Sequence, residues 1–443
     1  MIDTTKHKDW FRLDNSAKIF PEVSTPRNTN TFRIQVTLTE VVEPEILQLA
    51  TLGILERFPM FKVRLKHGIF WNFLDRNTKP FEIQKMSHEV CSTITPKENN
   101  NYLFKILYRN NIIAIEMFHS LADGGGVVMF LQSLIYEYLK LKGYDVTPDN
   151  IIKTKSERPF DEEYEDANEI YYNKKNRKHV AEEKAYKVKG TLLPDNNTGL
   201  ISGTLSTKAV LELARSKGLT ITQYFAALMM CVIYNTQIRY RGHLKTNQAP
   251  VKIFVPVNLR KHFPSKTLRN FSNFVKTSLV MTSDDITLDE LFNLVKKQFA
   301  EGMTKEELIR KMSENVAFEK NIFLKFMPYY IKRFALKIGY NMLGMKLNTM
   351  SLTNIGRIVF PDSMEPFIKD VTAIVNAGSY NTVNCAVLSF RDKLKVTISR
   401  SIIETNIERE FFRHFTDLGL NVLLESNYVE EYVWKNAINA ILK

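Results

Sequence analysis

NIIAIEMFHSLADGGG, residues 111–126, runs from a strand pattern into a helix pattern through one histidine, one aspartate and three glycines. Ile113, Ile115 and Met117 alternate as one strand face does, and His119 keeps that parity. The next stretch, VVMFLQSLIYEYLKLKG, places Val127, Phe130, Leu131, Leu134, Tyr138 and Leu141 on one helical face, with Gly143 as its stop. A histidine ending a buried strand face keeps a neutral ring able to accept a proton near pH 7. The turn to Asp123 can bring the carboxylate back toward the strand, where it needs a counter-charge or backbone N–H donors. Gly124, Gly125 and Gly126 let the backbone turn sharply and leave space beside the imidazole. Together these features predict a base at a cleft. The simpler alternative is a histidine satisfied inside the core.

Two other uses of the motif are excluded. No third His or Cys stands at ligand spacing and Glu116 falls on the opposite strand face, so no metal is expected. No GK[ST] follows the glycines, so they are not a phosphate loop.

Composition narrows the class. A chain of 443 residues is long for one core, so two lobes are expected. The net charge of +13 invites anionic partners. No Arg-rich tract, zinc-finger spacing or aromatic RNA-binding signature accompanies it, so nucleic acid is not among them. Cys91, Cys231 and Cys385 are odd in number and far apart, the pattern of a reduced compartment rather than of a disulfide framework. The polar opening MIDTTKHKDWFRLDN lacks a signal-peptide apolar region, and no apolar run reaches the ~18 residues of a membrane span. A cytoplasmic monomer is the expectation.

Along the chain, strands and helices mix in both halves, which predicts an α/β or α+β class with mixed or antiparallel sheets. Strand patterns fall at 31–42, at FKVRLKHG, at GIFWNFL and at NYLFKILYR, and a helix entered at Pro44 follows the first of them. Residues 1–150 read as a first lobe, 151–200 as a linker dense in both charge signs, and 201–443 as a second lobe. In the second lobe Ser206 caps a helix ending at Gly218, and Thr222 is expected to cap the next. VTAIVNAG, CAVLSFRD and KLKVTISRS read as a β-meander, followed by a closing helix over 407–425.

FHSLADGGG resembles the HxxxDG signature of the coenzyme A-dependent acyltransferase superfamily, the group of chloramphenicol acetyltransferase and the condensation domains of nonribosomal peptide synthetases. FRLDNSAKIF, ERFPMFKVRL (56–65), VPVNLR with RNFSNF (255–274) and SLTNIGRIVFP (351–361) are similar, in the family's order, to segments of its alcohol acetyltransferase-like branch. Phe118 stands where many members carry a second histidine, and the plant-type DFGWG loop is absent.

The resemblance implies two chloramphenicol-acetyltransferase-like lobes packed as a pseudo-dimer around a central channel, with His119 midway. It implies an acyl-CoA co-substrate, acetyl-CoA in this branch, and no bound cofactor. His119 takes the proton from an alcohol or amine acceptor, and Asp123 holds the histidine loop by pairing with an arginine. Arg57, Arg64 and Arg260 are the candidates for that partner. Asn270, Ser351 and Asn354 lie in matched segments and either line the channel and help hold an oxyanion or satisfy backbone groups at strand ends. The same superfamily includes condensation-like modules that bind a carrier protein and catalytically silent binding modules, which is the alternative function. One stretch stands apart: residues 321–348 carry Lys325, Lys332, Arg333, Lys337 and Lys346 and no acid. That is either a basic amphipathic surface for an anionic membrane or a packing layer with lysines at its solvent edge.

Overall fold

Phe32, Ile34, Val36 and Leu38 are buried on one face of an eight-residue strand, while Arg33 on the other face lies opposite Glu116 of the neighbouring strand. This alternation makes the first sheet, and the pattern recurs through a computed structural model that describes residues 10–174, 182–194, 197–239, 249–280, 286–322, 326–339 and 345–427. Its strands are β1 (Trp10–Arg12), β2 (Thr31–Leu38), β3 (Val63–His67), β4 (Asn72–Arg76), β5 (Gln84–Lys85), β6 (Phe104–Arg109), β7 (Ile112–Phe118), β8 (Gly199–Ser206), β9 (Val251–Asn258), β10 (Ser272–Leu279), β11 (Met350–Ile358), β12 (Ile368–Val375), β13 (Val383–Phe390), β14 (Lys393–Arg400) and β15 (Leu423–Ser426). Its helices are α1 (Phe20–Val23), α2 (Pro44–Arg57), α3 (Gly124–Leu141), α4 (Ala167–Ile170), α5 (Thr207–Ser216), α6 (Ile221–Ile233), α7 (Leu288–Gly302), α8 (Lys305–Lys320), α9 (Tyr329–Gly339) and α10 (Asn406–Asp417).

Three sheets carry the architecture, in the mixed α/β class that the sequence predicts. The five-stranded sheet has the order β12-β2-β7-β6-β5, the seven-stranded sheet β10-β9-β11-β13-β14-β8-β15, and β1-β4-β3 form a small third sheet. The helices α2 and α3 share the first core, and α6, α7 and α10 share the second. Most pairings are antiparallel, but β11 runs parallel to both β9 and β13.

The expected meander is corrected. Only β13 and β14 form a hairpin; β12 leaves it and pairs antiparallel with β2, from Ile368 opposite Leu38 to Val375 opposite Phe32. Alternation identifies a strand but not its partner, and β2 had a free edge to fill. The closing helix is also shorter than expected: α10 ends at Asp417 and β15 adds to the edge of β8. Helix α6 is capped two residues earlier than expected. Thr220, in a capping box with Gln223, holds its N-terminus, and Thr222 lies inside the helix. Ser206 and Gly218 stand as expected, the former accepting from the Ala209 N–H and the latter at φ +66°.

Where it is described, the charged stretch 151–200 is built into the structure. Glu163 is buried in a bidentate pair with Arg57 at 2.8 and 2.7 Å, and Ala167 is fully buried. Residues 175–181 and 195–196 of that stretch, and Lys325 of the basic stretch, lie outside the described residues.

Candidate active site

β7 ends at Phe118, and the backbone N–H of His119 donates to the Asn30 carbonyl at 3.0 Å. This fixes the imidazole on the face the sequence predicts. It packs on Phe32 and stacks on Phe20, each ring centroid 4.9 Å away. The ring is partly, not wholly, buried.

Asp123 is the N-cap of α3. Its Oδ1 accepts from the N–H groups of Gly125 and Gly126 at 3.1 and 3.2 Å, and its Oδ2 accepts from Arg260 Nη1 at 2.8 Å and from the Phe271 N–H at 2.9 Å. One carboxylate thus closes the start of α3 and anchors the loop between β9 and β10. Arg260 is itself held by the Thr267 and Arg269 carbonyls. The other two arginines hold different carboxylates: Arg57 pairs with Glu163 and Arg64 with Asp75.

The glycines do something other than turn. They form the first turn of α3, and none has a positive φ. A Cβ at Gly126 would lie 2.1 Å from the Leu268 carbonyl oxygen, and one at Gly125 would lie 3.2 Å from Arg260 Nη1. They are needed because the second-lobe loop presses against the helix start. At Gly124 the nearest group is Ile355 Cδ1 at 3.9 Å, which leaves that position room.

Asn270 completes the site. Its Nδ2 donates to the His119 carbonyl at 2.9 Å and to Asp14 Oδ2 at 3.1 Å. Both partners are acceptors, so the amide has one orientation, and its Oδ1 faces His119 Nδ1 at 3.2 Å. An oxygen there requires a proton on Nδ1. The neutral ring therefore carries its lone pair on Nε2. Burial pulls the His119 pKa below the ordinary histidine value, against the opposing effects of the Asn270 hydrogen bond and the Asp123 charge. The imidazole therefore favours its neutral form at pH 7.

Asp14 is the residue that sequence reading missed as a participant. It is buried, accepts the Ala17 N–H at 2.7 Å, and has Arg269 at 3.7 Å. Burial pushes its carboxyl up to about 6, against the pull of Arg269. The signal lay in FRLDNSAK: an aspartate three residues before Ala17, placed to cap a short helical turn.

Ser351 and Asn354 lie apart. The Ser351 N–H donates to Asn384 Oδ1, and the Asn354 side chain is engaged by Thr222 Oγ1 and the Gly356 N–H. Among the described residues no hydrogen bond joins either to His119. Burial raises the pKa of all three thiols, which makes them poor nucleophiles. The expected central channel is not among the cavities that stand out in the described residues. A cavity of about 20 Å³ lies elsewhere, between Arg27, Cys91, Asn197, Asn376 and Ser401. Beside the imidazole, Phe20, Phe32 and Asn270 occupy the space.

Polyketide synthase associated protein 5 from Mycobacterium tuberculosis matches with a TM-score of 0.60 at 15% identity, covering 91% of this chain and 96% of that one. TRI3 trichothecene 15-O-acetyltransferase from Fusarium sporotrichioides matches at 0.56 and 12% identity, covering 91% and 93%. The starter condensation domain of rhizomide synthetase RzmA, solved with C8-CoA and Leu-SNAC, matches at 0.54 and 13%, covering 91% and 93%. The chain has the condensation-domain fold. The shared fold extends over about 91% of the chain. No protein-family model and no curated sequence matches it.

Proposed function

We propose that this chain is an acyltransferase that moves an acyl group, acetyl by preference, from coenzyme A to a hydroxyl or amine acceptor. The observation that carries the reading is the fixed tautomer: Asn270 holds the Nδ1–H of His119, which leaves Nε2 bare and uncharged at neutral pH. His119 Nε2 removes the acceptor's proton as its oxygen or nitrogen attacks the thioester carbonyl. The tetrahedral oxyanion collapses, the C–S bond breaks, and the imidazolium returns its proton to the departing coenzyme A thiolate. No acyl-enzyme forms. Asp123 and Arg260 keep the loop and the second lobe in register and do not touch the substrate. Phe20, on a four-residue helix, stacks on the imidazole face and leaves the in-plane Nε2 lone pair uncovered by that contact.

A carrier-protein thioester is the second donor in play, since condensation domains and a polyketide synthase associated protein share the fold. Thiol release from acetyl-CoA, measured across a panel of alcohols and amines and repeated with acyl carrier protein thioesters, tests both. Turnover that disappears in His119→Ala is the expected result. Tight acetyl-CoA binding with no thiol release from any donor overturns catalysis in favour of a silent binding module.

A further inference from the structure

Helix α9 is inside out. Facing the protein are Tyr329 and Lys332, 6% and 1% exposed; facing away are Tyr330, Ile331 and Phe334, 79%, 59% and 69% exposed. The inward face is held by polar bonds. Lys332 Nζ donates to the Phe70 carbonyl at 2.9 Å and sits 3.7 Å from the Trp71 ring centroid. The Tyr329 N–H donates to the Ile69 carbonyl at 2.9 Å, and its hydroxyl donates to the buried Glu22 at 3.1 Å. Arg333 reaches the same carboxylate at 3.4 Å. The helix is therefore clamped to the β3–β4 hairpin tip, and its apolar side stays in water by construction.

The tip extends that surface. Ile69 and Phe70 are exposed, and Phe70 meets the exposed Phe326 edge-on at 6.2 Å. Lys66, Arg333 and Lys337 are exposed around it. The carboxylates in reach are engaged: Glu22 by Tyr329 and Arg333, Asp75 by Arg64 and Lys66, and Glu319 by Lys18. Exposed aromatic and aliphatic side chains inside a cationic rim fit the boundary between acyl chains and anionic headgroups. A second copy of the chain would bring the same cations against themselves. Among the described residues no single helix is long and apolar enough to cross a bilayer.

We propose that the outward face of α9 together with the 69–70 hairpin tip is a docking surface for an anionic lipid membrane. The full chain is sedimented with vesicles of phosphatidylcholine alone and of phosphatidylcholine with one quarter phosphatidylserine. Binding to the anionic vesicles about tenfold tighter than to the neutral ones, weakened by added salt, is expected. The triple variant Ile69→Ser/Ile331→Ser/Phe334→Ser changes only exposed side chains. It should keep its melting temperature and lose about tenfold or more of that binding, and Lys337→Glu should lose about fivefold. No binding at low salt overturns the proposal, as does a folded triple variant that binds as well as the parent. Sedimentation velocity without lipid that shows a dimer abolished by the triple variant assigns the face to a second copy and overturns it as well. The readout is binding, so it stands or falls independently of acyl transfer.

Discussion

The molecule builds the same unit twice. The hairpin β6–β7 turns at Asn110 with φ +49° and leads through residues 119–123 into α3; the hairpin β13–β14 turns at Arg391 with φ +53° and leads through residues 401–405 into α10. The first connection reads HSLAD and the second SIIET, so Ser401 stands where His119 does and Thr405 where Asp123 does. Asp123 caps its helix and takes Arg260 from the other lobe, whereas Thr405 makes no side-chain cap. The Ser401 hydroxyl is spent on the Gly378 carbonyl at 2.8 Å. Entry into α10 is instead braced by the buried pair Arg400 and Glu408. A strand–loop–helix corner is thus only a place. Only the first corner is met by Asn270 and Arg260 from distant sequence, which orient the imidazole and hold the aspartate.

Breaking that contrast at its centre has the largest effect. His119→Ala is expected to lower turnover by about 10³-fold with the fold retained, and Ser401→Ala to leave turnover intact. Steady-state thiol release reads both, and a His119→Ala enzyme near parental activity removes the imidazole from the chemistry. Next comes the pair of caps. Asp123→Ala strands Arg260 and frees three backbone N–H groups, and denaturant unfolding should show a loss of about 3–5 kcal/mol. Thr405→Ala should cost under ~1 kcal/mol. Equal losses at the two positions would mean that the cross-lobe ion pair contributes nothing special.

The orienting chain gives a subtler test. Asp14→Asn keeps one acceptor oxygen where the carboxylate has two, so it cannot accept from both the Ala17 N–H and Asn270 Nδ2, and the Asn270 amide is left held by the His119 carbonyl alone or by a loosened turn. The Nδ1–H tautomer is then less firmly held, and kcat should fall about 10–100-fold by analogy with other orienting partners. Nitrogen-15 shifts of the imidazole report the tautomer directly; an unchanged Nδ1–H with parental kcat would refute the relay.

The smallest effect is on pH dependence. Because burial lowers the His119 pKa, kcat/KM should hold until pH falls below the ordinary histidine value near 6.5 and then drop through the depressed one. Stability follows the same sign: His119 contributes fully above about 6.5 and less below it, because the unfolded chain takes up the proton first. Asp14, raised to about 6, acts oppositely, favouring the fold as pH falls from about 6 toward the carboxylate range. Its protonation adds a second ionisation to the acid limb of kcat/KM, steeper than one proton allows. Asp14→Asn should restore a single-proton slope.

Much of this site was legible in HSLAD. Strand parity put His119 on the right face, and the helix after Gly126 followed from apolar spacing. Three things resisted reading. Charge pairing across long separations depends on the packed lobes, so Arg57, Arg64 and Arg260 looked alike until each met its carboxylate. Glycines that permit a close approach also look like glycines that turn; only Leu268 pressing on Gly126 separates the two. Asp14 sat in plain view but acts through Asn270, some 250 residues away, a separation that local pattern does not reach.

The return of β12 to the edge of β2 has an implication for biogenesis. Until about 250 residues beyond β7 leave the ribosome, the first sheet lacks its last strand and presents an unpaired ladder. A nascent chain in that state offers a template for pairing with its neighbours, so the amino-terminal half depends on prompt completion of synthesis, or on a chaperone, to escape aggregation.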